Sequence, residues 1–277
     1  MVVSKGLQSC HSTWCFFHLV FKAMNSDSEK SQLIKPVEKK CHTNPVVSCS
    51  ACRLSDLCLP IALNGDEINQ LDQIVQRGRP LEKGDHLYRE SDKFTAVYAV
   101  RSGSFKTYAV SDEGVEQVAG FYLPGEIVGL DGISSQFHCS SAIALERASV
   151  CEIPFDRLED LSIQLPSLQH HFFRIMGKEI TKDQQMLTLL SSNSAEERVA
   201  ALLVSFSTRN HIRHMSATHF RLTMSRADIG NYLGITVETV SRTISKLQNQ
   251  SILVVNNKDI EIIDLVGLKK IAKVRSV

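Results

Sequence analysis

The sequence has little of what would place it in a membrane, a secretory pathway or a catalytic family. The apolar run Trp14-Cys-Phe-Phe-His-Leu-Val-Phe21 is far shorter than the roughly 20 residues a bilayer span needs. It contains His18 and is followed by no small-residue cleavage site, so it does not read as a signal peptide either. Ser/His/Asp, metal-hydrolase and phosphate-loop patterns are missing, and the ten histidines show no HExxH spacing, which argues against an enzyme. Eight cysteines in 277 residues are too few for a disulfide-rich mini-protein. Internal repeats and low-complexity segments are absent. These gaps leave a cytoplasmic chain, where thiols stay reduced and clustered cysteines more often bind metals than form disulfides.

Net charge is also nearly missing, at +1, but its distribution is uneven. Residues 1–191 carry 19 Lys+Arg against 23 Asp+Glu, whereas residues 192–277 carry 12 against 7. A basic C-terminal part behind an acidic partner suggests a nucleic-acid surface, although a solvated face would look the same on charge alone. The length favours two domains with cores of their own. Met24, followed by polar residues, makes a plausible true start, so residues 1–23 are expected to be an upstream extension without a structural role.

What the chain does have is a run of three thiols at C-x2-C-x5-C: Cys49, Cys52 and Cys58, on a loop-like segment ending in Leu59-Pro60. Short loops let successive sulfurs face one soft metal centre. A fourth ligand must come from elsewhere, and incidental thiols, a zinc knuckle or part of a disulfide framework would give the same spacing.

After a short helical stretch with Ile68, Leu71 and Val75 on one face, the region Arg79–Phe155 changes texture. Gly84-Asp85, Ser102-Gly103, Asp112-Glu-Gly114, Pro124-Gly125 and Asp131-Gly132 punctuate short apolar runs about every ten residues, the rhythm of an antiparallel barrel or jelly roll. Pro166 then opens a helix to about Leu190. Phe173, Met176, Ile180, Asp183, Leu187 and Leu190 are spaced as a heptad seam, which suggests pairing with a second copy of the chain. An aspartate in that seam would set two carboxylates against each other and keep the dimer marginal; a fraying seam with an exposed acid is the plainer explanation.

Beyond an amphipathic helix from Ala195 and a polar connection over His211–Phe220, Ser225 is placed to cap a helix Arg226–Leu233. Gly234 makes the turn and Thr236 caps a second helix from Val237 to about Gln250. This is helix-turn-helix spacing, and a hairpin around Asn256-Asn257 reads as a wing. With Val237, Val240, Ile244 and Leu247 inward, Glu238, Ser241 and Arg242 share an outward face and are the side chains offered to base edges. Lys246, Lys258 and Arg226 are candidate phosphate contacts. The fold class expected is therefore α+β: an N-terminal β-roll or jelly roll, which the family resemblance given next makes one of the cyclic-nucleotide-binding type, a long dimerisation helix and a C-terminal winged helix-turn-helix. The expected divisions are 1–48 extension, 49–165 cysteine loop and β-roll, 166–193 dimerisation helix, and 194–277 DNA-binding domain.

From about Cys49 to Ala272 the sequence resembles the FNR branch of the CRP/FNR transcription regulators. The resemblance is carried by the cysteine run, Pro124-Gly-Glu-Ile-Val-Gly129, Val150-Cys-Glu-Ile-Pro-Phe155, Ala195-Glu-Glu-Arg198 and Asp228-Ile-Gly-Asn-Tyr-Leu-Gly-Ile-Thr-Val-Glu-Thr-Val-Ser-Arg242. It implies an oxygen sensor holding one 4Fe-4S cluster per subunit, a homodimer when the cluster is intact, sites similar to TTGAT-N4-ATCAA, and RNA polymerase as a partner. Position by position, Cys49, Cys52, Cys58 and Cys151 match the cluster ligands, and Glu238, Ser241 and Arg242 the base-reading trio. Residues alone do not choose Cys151, because Cys41 and Cys139 compete for the fourth place. The family's acidic dimer-helix position falls on Asp183, with Ile180 beside it and Met176 and Leu187 on the same seam. The sister branch holds a cyclic phosphate with an Arg-Ser pair; here Ser140-Ser141-Ala142 stands in that segment and the arginine is missing. Regulators of this fold with another input (nitric oxide, haem or a small ligand), and a zinc-binding structural protein, are the remaining expectations.

Overall fold

The computed structural model describes residues 47–273. Nearly all of the expected extension 1–48, including Cys41 and the suspected leader 1–23, lies outside the described residues.

The cysteine segment is a chain of tight turns: Cys52 N–H donates to the Cys49 carbonyl, Ser55 N–H to Cys52, and Cys58 N–H to Leu54. Pro60 starts a short 3-10 turn, Leu59–Ala62. Helix α1 (Gly65–Ile74) follows. The Asn64 side chain accepts from the backbone N–H groups of Asp66 and Glu67, and Glu67 returns a bond to Asn64 N–H. This reciprocal cap satisfies donors that a helix start leaves orphaned.

Eight short strands then form the roll: β1 (Gln76–Arg77), β2 (His86–Tyr88), β3 (Ala96–Ser102), β4 (Phe105–Val110), β5 (Glu116–Tyr122), β6 (Ile127–Val128), β7 (Ser141–Ala144) and β8 (Ser149–Pro154). Among the described residues they pair antiparallel in two four-stranded sheets, β1-β8-β3-β6 and β2-β7-β4-β5. Alternation along β3 decides what each face meets. Ala96, Tyr98 and Val100 join Phe105, Val128 and Ala142 in the interior of the roll. Val97 and Ala99 point the other way, into a second core with Leu59, Leu71, Ile153 and the helices that follow.

Those helices are α2 (Phe155–Gln164) and α3 (Pro166–Ser192). On α3, Leu168 and Phe172 are buried against the roll, with Ile175 and Met176 partly buried beside them, while Met186 and Leu189 pack on a third core farther along. Phe173, Ile180 and Leu187 are 58%, 59% and 68% exposed, and Asp183 lies on the same open side. The predicted seam is thus an apolar stripe that the other described residues leave open. Met176 is half-buried against the chain's own core and is less open than the rest of the stripe.

The C-terminal part contains α4 (Ala195–Ile212), β9 (His219–Arg221), α5 (Arg226–Leu233), α6 (Val237–Asn249), β10 (Leu253–Asn256), β11 (Asp259–Ile262) and α7 (Leu265–Ile271). The region expected to be a polar connection supplies β9, which pairs with β11 and makes the wing a three-stranded sheet, β10-β11-β9. Its polar sequence concealed a strand because only one face is covered: Phe220 packs inward while His219 and Arg221 stay exposed.

Roll and C-terminal part share one core. Val118, Phe121 and Leu145 of the roll belong to the same buried cluster as Leu203, Phe206, Tyr232 and Leu233. The Phe121 ring meets the Tyr232 ring edge-on at 5.0 Å. Beside it Glu126 receives Arg209, with Nη2 to Oε2 at 2.5 Å, and also Arg213. Burial alone would raise the Glu126 carboxyl, but the two guanidiniums outweigh it and hold it at about 2.

Candidate functional site

The four candidate thiols come together. Cys49, Cys52 and Cys58 from the turn segment and Cys151 from β8 line one pocket, with Leu54, Leu59, Leu71, Val75, Ala99 and Ile153 among its walls. Cys151 reaches it through strand geometry: Val150 packs into the roll, so Cys151, one residue on, faces the opposite side. In register it sits opposite Ala99 on β3 and Arg77 on β1. All five cysteines among the described residues are free of disulfides. Cys139 lies in the loop of Asp131, where its N–H donates to the Asp131 carboxylate, and it does not line this pocket.

The cysteine segment offers Leu54, Leu57, Leu59 and Ile61 as a hydrophobic shell for the thiols, and only part of that set takes the place. Leu54 and Leu59 line the pocket, whereas Leu57 packs over Gly125 and Ile61 is 53% exposed. Leu71, Val75, Ala99 and Ile153 complete the wall. They come from α1, its C-cap and two strands, which no local pattern could assign to one site.

Burial raises both Cys49 and Cys58 to about 12, with Asp72 adding to the effect at Cys49. Those two thiols therefore stay protonated at neutral pH unless a cation compensates the thiolate. Among the described residues, no three His, Cys, Asp or Glu side chains are grouped closely enough to hold a single metal ion. Four thiols in a largely apolar pocket, with Ser55 and Arg101 also on its wall, are a donor set that suits a soft, sulfur-preferring metal group.

The second candidate surface is built by local signals. The Ser225 side chain accepts from Asp228 N–H, and Asp228 returns the bond to Ser225 N–H. Gly234 ends α5 at φ 63°, a left-handed conformation that glycine adopts without strain. Gly230 lets the turn approach: a Cβ there would stand 2.7 Å from the Ile235 carbonyl oxygen. Thr236 Oγ1 then accepts from Thr239 N–H and starts α6. Val240, Thr243, Ile244 and Leu247 are buried, and Glu238, Ser241 and Arg242 are exposed together near the helix start. Val237, expected inward, is 41% exposed, since the first turn of α6 projects beyond the core.

Residues 197–271 match the Crp-like helix-turn-helix domain and residues 78–164 the cyclic nucleotide-binding domain. The chain is 49% identical over 238 residues to the transcriptional activator protein Anr of Pseudomonas protegens, covering 86% of this chain and 97% of that one. It is 45% identical over 241 residues to the fumarate and nitrate reduction regulatory protein of Vibrio cholerae, covering 87% and 96%. The chain belongs to the FNR branch of the CRP/FNR transcription regulators. Among solved structures, FixK2 from Bradyrhizobium japonicum matches this FNR-branch chain with a TM-score of 0.67 and 28% identity, over 73% of this chain and all of that one. With relatives named as regulators and a helix-turn-helix of its own, it is a DNA-binding regulator of transcription and not an enzyme.

Of the three basic residues expected at phosphates, Lys258 and Lys246 are engaged within the FNR-branch chain. Lys258 Nζ donates to the Thr223 carbonyl at 2.5 Å and is half-buried. Arg226 is half-buried, and its Nη1 is enclosed without a hydrogen-bond partner among the described residues. Lys246 stays exposed and pairs with Glu196 at 2.5 Å, a surface contact that a phosphate can replace at small cost. Sequence reasoning missed Asp72 and Arg77, which border the thiols, and Asn231. The Asn231 amide ties α5 to the roll through Val118 N–H at 2.6 Å and the Glu116 carbonyl at 2.6 Å. Lys106 and Asp228 join the same elements at 2.7 Å. An asparagine or aspartate on a short helix carries no local sign of such a partner.

Among the described residues no helix is long and apolar enough to cross a membrane.

Proposed function

We propose that this chain is an oxygen-responsive regulator that acts in the cytoplasm through one 4Fe-4S cluster per subunit, held by Cys49, Cys52, Cys58 and Cys151. The observation that carries the reading is the convergence of those four thiols, from segments about a hundred residues apart, on one apolar pocket. When bound, the cluster supplies an oxygen-labile link between the turn segment and β8. Leu59 and Leu71 pack in the same core as Leu168 and Phe172 of α3, so a shift of the turn segment is felt along that helix. The exposed stripe Phe173, Ile180 and Leu187 is the face for a second copy, and paired Asp183 carboxylates keep that homodimer weak enough to be governed by the core beneath it. Dimerisation sets two α6 helices about one DNA turn apart, which suits a palindrome similar to TTGAT-N4-ATCAA, with RNA polymerase recruited to the same promoters.

The other input of this fold, a cyclic nucleotide, is disfavoured by charge as well as by the missing arginine. The Asp131 carboxylate takes the N–H groups of Cys139 and Ser140 and the Ser140 hydroxyl, with His138 Nδ1 at 3.0 Å. A phosphate in that segment would meet an acid that already holds the donors.

Anaerobically purified protein is expected to carry four irons and four labile sulfides per chain and negligible zinc, in line with the cluster assignment. It should bleach in air and lose its operator. Equal DNA binding in air and without oxygen, or zinc in place of iron and sulfide, overturns the reading. Asp183→Ala is expected to raise the dimer fraction in air by sedimentation; a monomer under all conditions contradicts the role given to the seam.

A further inference from the structure

Arg77 is placed as no other arginine among the described residues is. It ends β1 directly opposite Cys151, and opposed residues of an antiparallel pair project from the same face. Its side chain is only 12% exposed. One nitrogen, Nη2, donates to Asp72 Oδ1 at 2.5 Å and lies 3.4 Å from Cys49 Sγ. That same carboxylate oxygen accepts the Cys49 backbone N–H at 2.8 Å, so Asp72 aims the guanidinium and pins the first cysteine together. Nε is buried with no partner among the described residues. Arg213, also deeply buried, provides the contrast: its nitrogens are matched by the carbonyls of Pro124 and Arg209 and by the Glu126 carboxylate. A purely structural buried arginine is expected to be satisfied in that manner. Arg77 instead leaves one donor unmatched, as Arg226 does, and differs from it in standing beside two thiols of separate segments, Nη2 near Cys49 Sγ and the backbone opposite Cys151.

We propose that Arg77 is a positioning residue for the four-cysteine site, which donates to Cys49 Sγ and sets its positive charge against Cys49 and Cys151 when the site is filled. The proposal rests on the cluster reading above. Thiolates packed in an apolar pocket repel one another, and one fixed cation inside the shell offsets part of that cost. A hydrogen bond to a ligating sulfur withdraws electron density, and a nearby positive charge favours the more reduced state. Both raise the reduction potential of a sulfur-held cluster and make it harder to oxidise. Arg77 thereby tunes how readily oxygen attacks the site, a property that the four ligands alone do not set.

The test compares the anaerobically reconstituted full-length chain with Arg77→Met, Arg77→Lys and the double variant Asp72→Asn/Arg77→Met. Reduction potential, half-time of bleaching in air, iron and sulfide content and melting temperature are read on each. Arg77→Met is expected to lower the potential and to bleach roughly tenfold faster than the wild type, the scale typical of a lost contact just outside the ligands. Arg77→Lys, which keeps the charge, is expected to recover most of the potential. The double variant leaves no unpaired buried carboxylate, so it reports the same loss where Arg77→Met alone does not fold. Folded variants with wild-type potential and bleaching overturn the role of Arg77 and leave the cluster reading standing, as does a folded Arg77→Lys no better than Arg77→Met. Wild-type protein without iron and sulfide removes both together.

Discussion

The thiol pocket and the α6 face are two ways of building a site. On α6 the geometry is made within a few residues: Ser225 and Asp228 cap one helix, Gly234 turns the chain, Thr236 caps the next, and Glu238, Ser241 and Arg242 project from the first two turns. That face is exposed and preformed. The thiol pocket has no such local frame. Its cysteines are brought together by strand register, by the Asp72 bond to Cys49 N–H, and by a core shared with α3. Burial raises two of its thiols to about 12, so they are not thiolates until something fills the pocket. The comparison teaches that the α6 face is formed by its own neighbours, whereas the thiol pocket depends on distant segments; under the function proposed above, that is the asymmetry a switch needs.

The largest effect that would sharpen this contrast is expected from Cys151→Ser. Iron content should fall to near background and anaerobic operator binding should vanish, while the α6 trio stays folded. Retained iron at wild-type level would break the contrast, because β8 would then not belong to the site.

The next concerns the joint between the two regions. Glu126 is held at about 2, below its ordinary 4.5, so its contribution to stability is present above about 4.5 and is lost as pH falls towards 2. Glu126→Gln should therefore cost about 3 kcal/mol at neutral pH, by leaving two guanidiniums unpaired. It should also flatten the decline of melting temperature below about pH 4.5 that is expected of the wild type. Parallel pH curves for the two proteins would show that the joint is not ionic.

Smaller again, Arg242→Ala should weaken binding by roughly 1–3 kcal/mol at its own base pair and relax preference there, measured on operators altered at single positions. An unchanged preference removes Arg242 from the reading set. Thr236→Ala should cost only about 1 kcal/mol of stability in a denaturant titration, the worth of one helix cap. A much larger loss would mean that the reading head is less self-sufficient than its local signals imply.

Local signals were legible because their partners lie within a few residues. The α5 and α6 boundaries, the turn at Gly234, the long helix from Pro166 and the turn rhythm of the roll all follow from caps, glycines and apolar spacing, and all are present. The polar stretch over His219–Arg221 hid a strand, because its pairing with β11 is made about forty residues away. Met176 fits the heptad spacing yet is half-buried against the chain's own core, since spacing does not say how much of an apolar stripe the chain itself covers.

The sequence by itself determined which short segments become helices, turns and strands, and which three cysteines stand together on one loop. Tertiary structure decided the rest: that Cys151 and not Cys139 faces that loop, that Arg77 and Asp72 border it, that Arg209 and Arg213 close on Glu126, and that Ile180 and Leu187 are left open. The physical reason is range. A cap or a turn is chosen by neighbours along the chain, whereas burial, charge pairing and strand register are chosen only when distant segments compete for the same space.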